Sequence, residues 1–138
     1  MTADHAHTIV VGYDGSKGAD RALEWATREA KLRGGSLCIV NAWTPGEFGQ
    51  DTEMESFSEQ QLKEQMEIRM KDEGVEWEAL TFRGSAAKVL VEHSADADML
   101  VVGSRGRGGF SGLLLGSVSQ QVSTHAGSPV VVIVRNGH

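Results

Sequence analysis

The sequence predicts an α/β fold, an open five-stranded parallel sheet with helices on both faces. Strand-like and helix-like segments alternate along the 138 residues in the order β-α-β-α-β-α-β-α-β, a pattern typical of parallel sheets. The runs Met99–Val102 and Val130–Val134 are continuously apolar, as in strands that are covered on both faces. Because no internal repeat or low-complexity linker divides the chain, residues 1–138 are predicted to form a single domain, with residues 1–7 frayed.

The first three elements follow from apolar spacing and glycine. A compact apolar run predicts a strand at about 8–14, and Ser16 is a candidate N-cap for the following helix. Gly34 and Gly35 are expected to end that helix, and "SLCIVNAW" predicts a strand at about 36–43. Five residues with helical spacing mark the buried face of the helix: Ala19, Ala22, Leu23, Ala26 and Ala30.

The next two elements follow a polar segment at residues 44–55. Leu62, Met66 and Met70 recur every four residues and predict the buried stripe of a helix at about 57–73. We interpret this methionine stripe as core packing and not as a metal site. The run "VEWEALTF" alternates in polarity, which predicts a strand with one face near solvent, as at the edge of a sheet.

The C-terminal half completes the alternation. Gly84 and Ser85 lead into a helix for which Ala86, Val89, Leu90 and His93 are predicted on or near the inner face. The remaining segments predict a strand at 98–103, a helix at 117–126 and a strand at 128–134.

Charge and cysteine content narrow the functional classes. The net charge is −6, and residues 47–78 hold eleven acidic against three basic residues, so nucleic acid is not an expected partner. No apolar run has the length of about 20 residues that a membrane span needs, and the N-terminus lacks the basic and apolar regions of a signal peptide. Cys38 is the only cysteine. A reducing, cytoplasmic compartment is therefore expected, with Cys38 buried and inert.

The segment 101–122, "VVGSRGRGGFSGLLLGSVSQQV", holds six glycines within fourteen residues between a strand and a helix. The P-loop pattern is absent, since no Gly-Lys pair is followed by a hydroxyl residue, and G-x-G-x-x-G is absent because Ser111 stands where glycine is required. Two interpretations remain open at this point. The loop is either a flexible linker or a phosphate cradle of another design.

The position of the loop favours the cradle. In open α/β sheets, ligands bind beyond the carboxyl ends of the strands, where the strand order reverses. The loop leaves such an end and leads to a helix N-terminus, whose free N–H groups attract anions. Arg105 and Arg107 add positive charge, and Ser117 and Ser119 offer hydroxyl groups in the first helical turn.

The spacing from Gly103 to Ser117 matches G-x2-G-x9-G-[ST], and in this the chain resembles the ATP-binding universal stress proteins. "VVGYDGS", "DADMLVVGSRG" and "LLGSVSQQVSTHAGSPVVVIV" resemble the same family, so the likeness covers nearly the whole chain. It implies strand order 3-2-1-4-5, an adenine nucleotide alpha hydrolase-like fold, and ATP or another adenine nucleotide as the ligand.

The resemblance also implies site residues. Asp14, flanked by Gly12 and Tyr13, would lie beside the adenosine or its metal, and Ala42 would line the adenine pocket. Mg²⁺ accompanying ATP would take oxygen ligands, for which Asp14 and Ser117 are the candidates. The implied contacts to the phosphates and ribose are Val102, Gly103, Ser104, Arg105, Gly106, Arg107, Gly116, Ser117, Val118 and Ser119.

The resemblance further implies a homodimer that pairs through the C-terminal strand, residues 129–134. An apolar strand at a sheet edge needs such a cover. We expect a nucleotide-dependent signalling or stress-response module. The alternatives are a slow ATPase or phosphotransferase, disfavoured because no P-loop lysine is present, and a dimeric stress protein without nucleotide. The downstream partner has no signature in the sequence.

Overall fold

The computed structural model describes residues 7–43, 59–104 and 117–134. Its strands and helices alternate as the sequence predicted. In chain order they are β1 (Thr8–Gly12), α1 (Lys17–Arg33), β2 (Ser36–Trp43), α2 (Glu59–Arg69), β3 (Glu76–Arg83), α3 (Ala86–His93), β4 (Met99–Gly103), α4 (Ser117–His125) and β5 (Val130–Ile133).

The five described strands form one sheet in the order β3-β2-β1-β4-β5. Every neighbouring pair is parallel, so the predicted fold class and strand order are confirmed. β3 lies at an edge, as its alternating pattern indicated, and β5 lies at the other edge. The order reverses between β1 and β4, whose residues Val11 and Val101 are paired.

Helices cover both faces of this sheet. Ile9 and Val11 of β1 pack with α1 and α2 in one apolar cluster, whereas Val10 packs with α3 and α4 in a second. Successive side chains of a strand point to opposite faces. A continuously apolar strand can therefore contribute to both clusters, which is why β1 and β4 lie at the centre of the fold.

Helix α1 begins and ends where its capping residues predict. The Ser16 hydroxyl oxygen accepts a hydrogen bond from the Ala19 N–H at 3.1 Å, and Gly34 adopts a left-handed conformation with φ +66°. The five residues predicted to form its apolar face are all buried. The capping chemistry read from the sequence is therefore confirmed at both ends.

Helix α2 is shorter at its C-terminus than predicted. Leu62, Met66 and Met70 are buried, which confirms the stripe as core packing. The helix ends at Arg69 instead of residue 73, because the chain tightens into a turn and reaches Gly74 at φ +71°. Residues 57 and 58, where the predicted helix begins, lie outside the described residues.

Three further sequence predictions can be compared with the structure. Cys38 is buried, as predicted, and burial together with the neighbouring Glu78 raises the pKa of its thiol to about 12. In α3 the buried residues are Ala87 and Leu90, and Val89 packs against the same cluster. Of the other two residues predicted on or near the inner face, Ala86 is half-buried and His93 is exposed. Within the described ranges, no helix is long and apolar enough to cross a bilayer.

The described part of the chain begins at His7. Its carbonyl accepts a hydrogen bond from the Ser36 N–H at 3.1 Å, and its Nδ1 lies 3.3 Å from the Asp98 carboxylate. His7 is thus held against β2 and the start of β4, while residues 1–6 of the segment predicted to fray lie outside the described residues.

Candidate functional site

The carboxyl ends of β1 and β4 lie side by side where the strand order reverses. This is where open α/β sheets bind ligands. Gly12 ends β1 and Gly103 ends β4, so the structure brings together two of the segments that the sequence assigned to the site. Helix α4 begins at Ser117, on the chain that follows β4.

The turn between β1 and α1 is held by Asp14. One carboxylate oxygen of Asp14 accepts a hydrogen bond from the Ser16 N–H at 2.9 Å, while Gly15 adopts φ +82°. This Asx-type turn explains why β1 ends at Gly12 and not at the predicted residue 14. Asp14 is half-buried, so the side chain proposed to lie beside a nucleotide also shapes the loop that presents it.

Residue 13 is joined to the end of β2 through its main chain. The Tyr13 N–H donates to the Val40 carbonyl at 2.8 Å, and the Asn41 side-chain amide donates to the Tyr13 carbonyl at 3.0 Å. Asn41 is 1% exposed and directly precedes Ala42. Sequence reasoning missed this role of Asn41, although a polar residue in the apolar run "SLCIVNAW" was the available signal.

The Tyr13 side chain lies in the cluster between the sheet and helices α1 and α2. Its hydroxyl donates to the Asp20 carboxylate at 2.8 Å and accepts from Arg69 at 3.2 Å. Burial is the main reason that the pKa of Tyr13 rises to about 12, and the hydrogen bond to Asp20 raises it further. The Tyr13 side chain, next to Asp14 in the predicted site, therefore makes its hydrogen bonds inside the fold.

Two glycines at the site are surrounded by protein atoms. A Cβ added at Gly103 would lie 2.8 Å from the carbonyl carbon and 2.9 Å from the oxygen of Gly18. At Gly12 it would lie 2.9 Å from a terminal methyl carbon of Leu90. Close packing against the main chain of α1 thus accounts for Gly103, whereas at Gly12 the neighbouring atom belongs to a side chain that can rotate.

The chain leaving β4 is tied to α4 and β5. The Ser119 hydroxyl donates to the Ser104 carbonyl at 2.9 Å, and the Ser104 N–H donates to the Ile133 carbonyl at 2.9 Å. Ser104 and Ser119 are both buried, as is Val102 in the cluster that Val118 borders. The hydroxyl group of Ser119, which was predicted to contact phosphate, therefore donates its hydrogen bond to the main chain just after β4.

Part of the predicted site lies outside the described residues. This holds for Arg105, Gly106, Arg107 and Gly116. Of Ser117, only its place as the first residue of α4 is described. Within the described ranges, no group of three His, Cys, Asp or Glu side chains could hold a metal ion alone, so a cation at Asp14 would depend on ligand or solvent oxygen atoms.

A groove among the described residues lies away from these strand ends. It has a volume of about 380 Å³ and is lined by residues between the end of α2 and the start of β3, including Met70, Gly74 and Trp77. β3 runs parallel to β1, and Gly12 is at the carboxyl end of β1. The amino-terminal end of β3 therefore lies at the opposite end of the strands from Gly12. This groove is not part of the candidate site.

We expect Tyr13→Phe to change the alkaline stability of the chain. The fold favours the neutral phenol, so its contribution is complete below pH 10 and is lost as the pH rises to about 12, by roughly 2–3 kcal/mol at most. The advantage of the wild type over the variant should therefore shrink across this window. Urea unfolding of both chains measures this difference in stability. The ionisation of the Cys38 thiol in the same pH range affects both chains equally and does not contribute to the difference. A difference that stays constant with pH would contradict the assignment.

Comparison with known proteins identifies the fold independently. The model of the universal stress protein family matches residues 5–134. A universal stress protein of Mycobacterium tuberculosis is 36% identical over 132 residues, which cover 90% of this chain but 44% of that protein. The chain thus spans less than half the length of this relative. A universal stress protein of Thermus aquaticus is 36% identical over 136 residues, covering 91% of this chain and 97% of that protein.

Solved structures of universal stress proteins are also similar to this chain. A universal stress protein in complex with cAMP has a TM-score of 0.70 at 29% identity and covers 91% of this chain and 95% of its own. The universal stress protein of Archaeoglobus fulgidus in complex with dAMP has a TM-score of 0.65 at 27% identity, with 93% and 97% covered. With nearly its whole length matched by the family model and by these structures, this chain belongs to the universal stress protein family.

Proposed function

We propose that this chain binds an adenine nucleotide and acts as a nucleotide-dependent stress-response module. ATP is the leading candidate for the ligand. The observation that carries the proposal is the adjacency of the β1 and β4 carboxyl ends, with Asp14 on one and the glycine-rich segment after Gly103 on the other. The two related structures that contain cAMP and dAMP support an adenine nucleotide as the ligand class.

The proposed arrangement assigns one task to each segment. Phosphates are assigned to residues 103–107 and 116–119, because the N–H groups at a helix N-terminus, here that of α4, attract anions. The base lies near Ala42, at the end of β2. Asp14 fits a role beside the ribose or a phosphate-bound Mg²⁺, since it is a half-buried carboxylate at the carboxyl end of β1. Mg²⁺ would neutralise phosphate charge there.

Calorimetric titration tests the proposal. ATP, ADP, AMP and cAMP are titrated separately into the full chain, each with and without Mg²⁺. Binding of at least one of these nucleotides is expected, and absence of heat together with absence of a thermal shift would refute the proposed function. Phosphate release measured on the same samples separates a binding module from the slow ATPase. A cytoplasmic location belongs to the same proposal, because the only cysteine is a free, buried thiol.

We expect Gly116→Val to abolish nucleotide binding while leaving the fold intact. The substitution adds bulk where the motif brings main chain close to phosphate. Gly127→Val is the matched control, because a Cβ at Gly127 would meet no described atom within 4 Å. Titration with the bound nucleotide measures both variants. Wild-type affinity in the Gly116 variant, or equal losses in both, would contradict the role of Gly116.

We expect the chain to form a homodimer through residues 129–134. β5 lies at the edge of the described sheet, its residues are half-buried and Val134 is 51% exposed. Pairing with β5 of a second copy would satisfy main-chain groups and cover the valines. Light scattering at micromolar concentration should give twice the 14.8 kDa of one chain. A monomeric mass would rule out this interface.

A further inference from the structure

A three-residue cluster joins the start of the candidate site to helix α2. The Tyr13 hydroxyl donates to Asp20 at 2.8 Å, and Arg69 donates to both the Tyr13 hydroxyl at 3.2 Å and the Asp20 carboxylate at 2.5 Å. Tyr13 follows β1, Asp20 lies in the first turn of α1 and Arg69 is the last residue of α2. One guanidinium therefore contacts side chains from two other parts of the fold.

The buried Tyr13 side chain distinguishes this cluster from an ordinary surface ion pair. Tyr13 is 5% exposed, whereas the side chains of Arg69 and Asp20 are 34% and 38% exposed. A half-exposed pair adds little to stability. The buried phenol, however, uses both its donor and its acceptor capacity on these partners. The cluster thus constrains where the Tyr13 ring lies more than it stabilises the fold.

Tyr13 is connected to the candidate site through its main chain and the adjacent residue Asp14. The main chain of residue 13 is bonded to Val40 and Asn41 of β2, and the next residue is Asp14, whose carboxylate holds the turn by accepting from the Ser16 N–H. A displaced Tyr13 ring must therefore move the main chain that carries Asp14, or strain these bonds.

We propose that Arg69 is a positioning residue of the nucleotide site, acting through Tyr13 to hold the turn that presents Asp14. The inference rests on the proposed function for its ligand. It makes α2 part of the site, although Arg69 lies 55 residues beyond Asp14 in the sequence. The position of α2 and the affinity for nucleotide are then coupled, because α2 and the bound nucleotide both constrain the turn that contains Asp14.

The chain offers a matched control for Arg69. Lys31 of α1 pairs with Glu73 at 2.6 Å, which also links α1 to the chain at the end of α2, and this pair does not include Tyr13. Arg69→Met and Lys31→Met each remove one positive charge and keep a long apolar side chain. They therefore change the net charge of the chain equally, and differ in whether the Tyr13 cluster is broken.

The binding test measures the dissociation constant of ATP by calorimetry in the full chain. Arg69→Met should weaken binding by about threefold to tenfold, the effect of about one hydrogen bond, and Lys31→Met by less than about twofold. Arg69→Lys should restore part of the affinity. On a Tyr13→Phe background, Arg69→Met should add little, because the path is already broken.

A second measurement tests positioning without nucleotide. Amide hydrogen exchange should be faster in Arg69→Met than in the wild type at Tyr13 and Ser16, whose N–H groups donate to Val40 and Asp14. Lys31→Met should leave both amides unchanged.

The outcomes separate the two proposals. Wild-type ATP affinity in Arg69→Met, a loss equal to that of Lys31→Met, or an undiminished loss on the Tyr13→Phe background overturns the positioning role. If the wild-type chain binds none of the four nucleotides, the proposed function fails. The part of this inference that concerns nucleotide fails with it, and unchanged exchange in Arg69→Met would then also overturn the claim that Arg69 holds the turn.

Discussion

Replacement of Gly103 by alanine should destabilise the fold by about 1–3 kcal/mol, the usual cost of overpacking a well-packed interior. A Cβ at this position would lie 2.8 Å and 2.9 Å from main-chain atoms of Gly18. Main-chain atoms cannot rotate away as a side chain can, so the first turn of α1 would have to shift. Because the Asp14 turn leads directly into α1, weaker nucleotide binding should accompany the loss of stability.

Urea unfolding followed by circular dichroism measures this effect, with Gly127→Ala as the control. No described atom lies within 4 Å of a Cβ at Gly127, so that variant should stay within about 0.5 kcal/mol of the wild type. The comparison also separates two explanations of Gly103. If Gly103→Ala unfolds like the wild type but no longer binds nucleotide, Gly103 serves the ligand, and the packing explanation is wrong.

Replacement of Asn41 by aspartate should have the larger effect, and it should depend on pH. Asn41 is 1% exposed and its amide nitrogen donates to the Tyr13 carbonyl. An ionised carboxylate cannot donate this bond, whereas a protonated one can. The folded variant should therefore keep the carboxyl group neutral, which raises its pKa far above the unfolded value of about 3.9.

The sign and size of the effect follow from proton linkage. Folding of the variant at pH 7 requires uptake of a proton that the unfolded chain does not hold, which costs about 1.4 kcal/mol for each pH unit above about 3.9. The loss relative to the wild type should reach about 4 kcal/mol at pH 7 and shrink steadily as the pH falls to about 4.

Asn41→Ala is the control for this pH dependence. It removes the same hydrogen bond and leaves the Tyr13 carbonyl without that donor, which should cost about 1–3 kcal/mol at every pH. Urea unfolding of the wild type and both variants at several pH values measures the difference. A loss in Asn41→Asp that does not vary with pH would show that Tyr13 does not depend on a donor at position 41.

The amide oxygen of Asn41, Oδ1, is buried and has no hydrogen-bond partner among the described residues. One half of the amide is thus used on Tyr13 while the other half carries a desolvation cost. The hydrogen bond to Tyr13 is therefore made at the cost of leaving the amide oxygen desolvated.

Local sequence patterns were sufficient wherever the determining forces are local. The Ser16 and Gly34 caps of α1 depend on main-chain groups within a few residues, so their chemistry could be predicted directly. The inner faces of α1 and α2 follow from helical spacing, and the edge position of β3 agrees with its alternation. Predictions failed by small margins where neighbouring turns decide, as at the ends of β1 and α2.

The candidate site shows the same division. Its place at the carboxyl ends of β1 and β4 could be argued from the glycine-rich segment and the resemblance, and the strand order agrees. The contacts that these residues make inside the fold could not. Gly103 packs on Gly18 and the Ser119 hydroxyl donates to the Ser104 carbonyl, while their contacts with a ligand stay predictions.

The kinds of element and their order could be predicted from the sequence, because apolar periodicity, caps and glycine act over a few residues, and the anion site at the glycine-rich segment stays a prediction of the same kind. The side-chain contacts emerged only from the folded chain: Asn41 with Tyr13, Arg69 with Asp20, and Gly103 with Gly18. These contacts join residues that are 28, 49 and 85 positions apart. Their existence depends on strand register and on how the helices dock across the sheet, which local propensities do not specify.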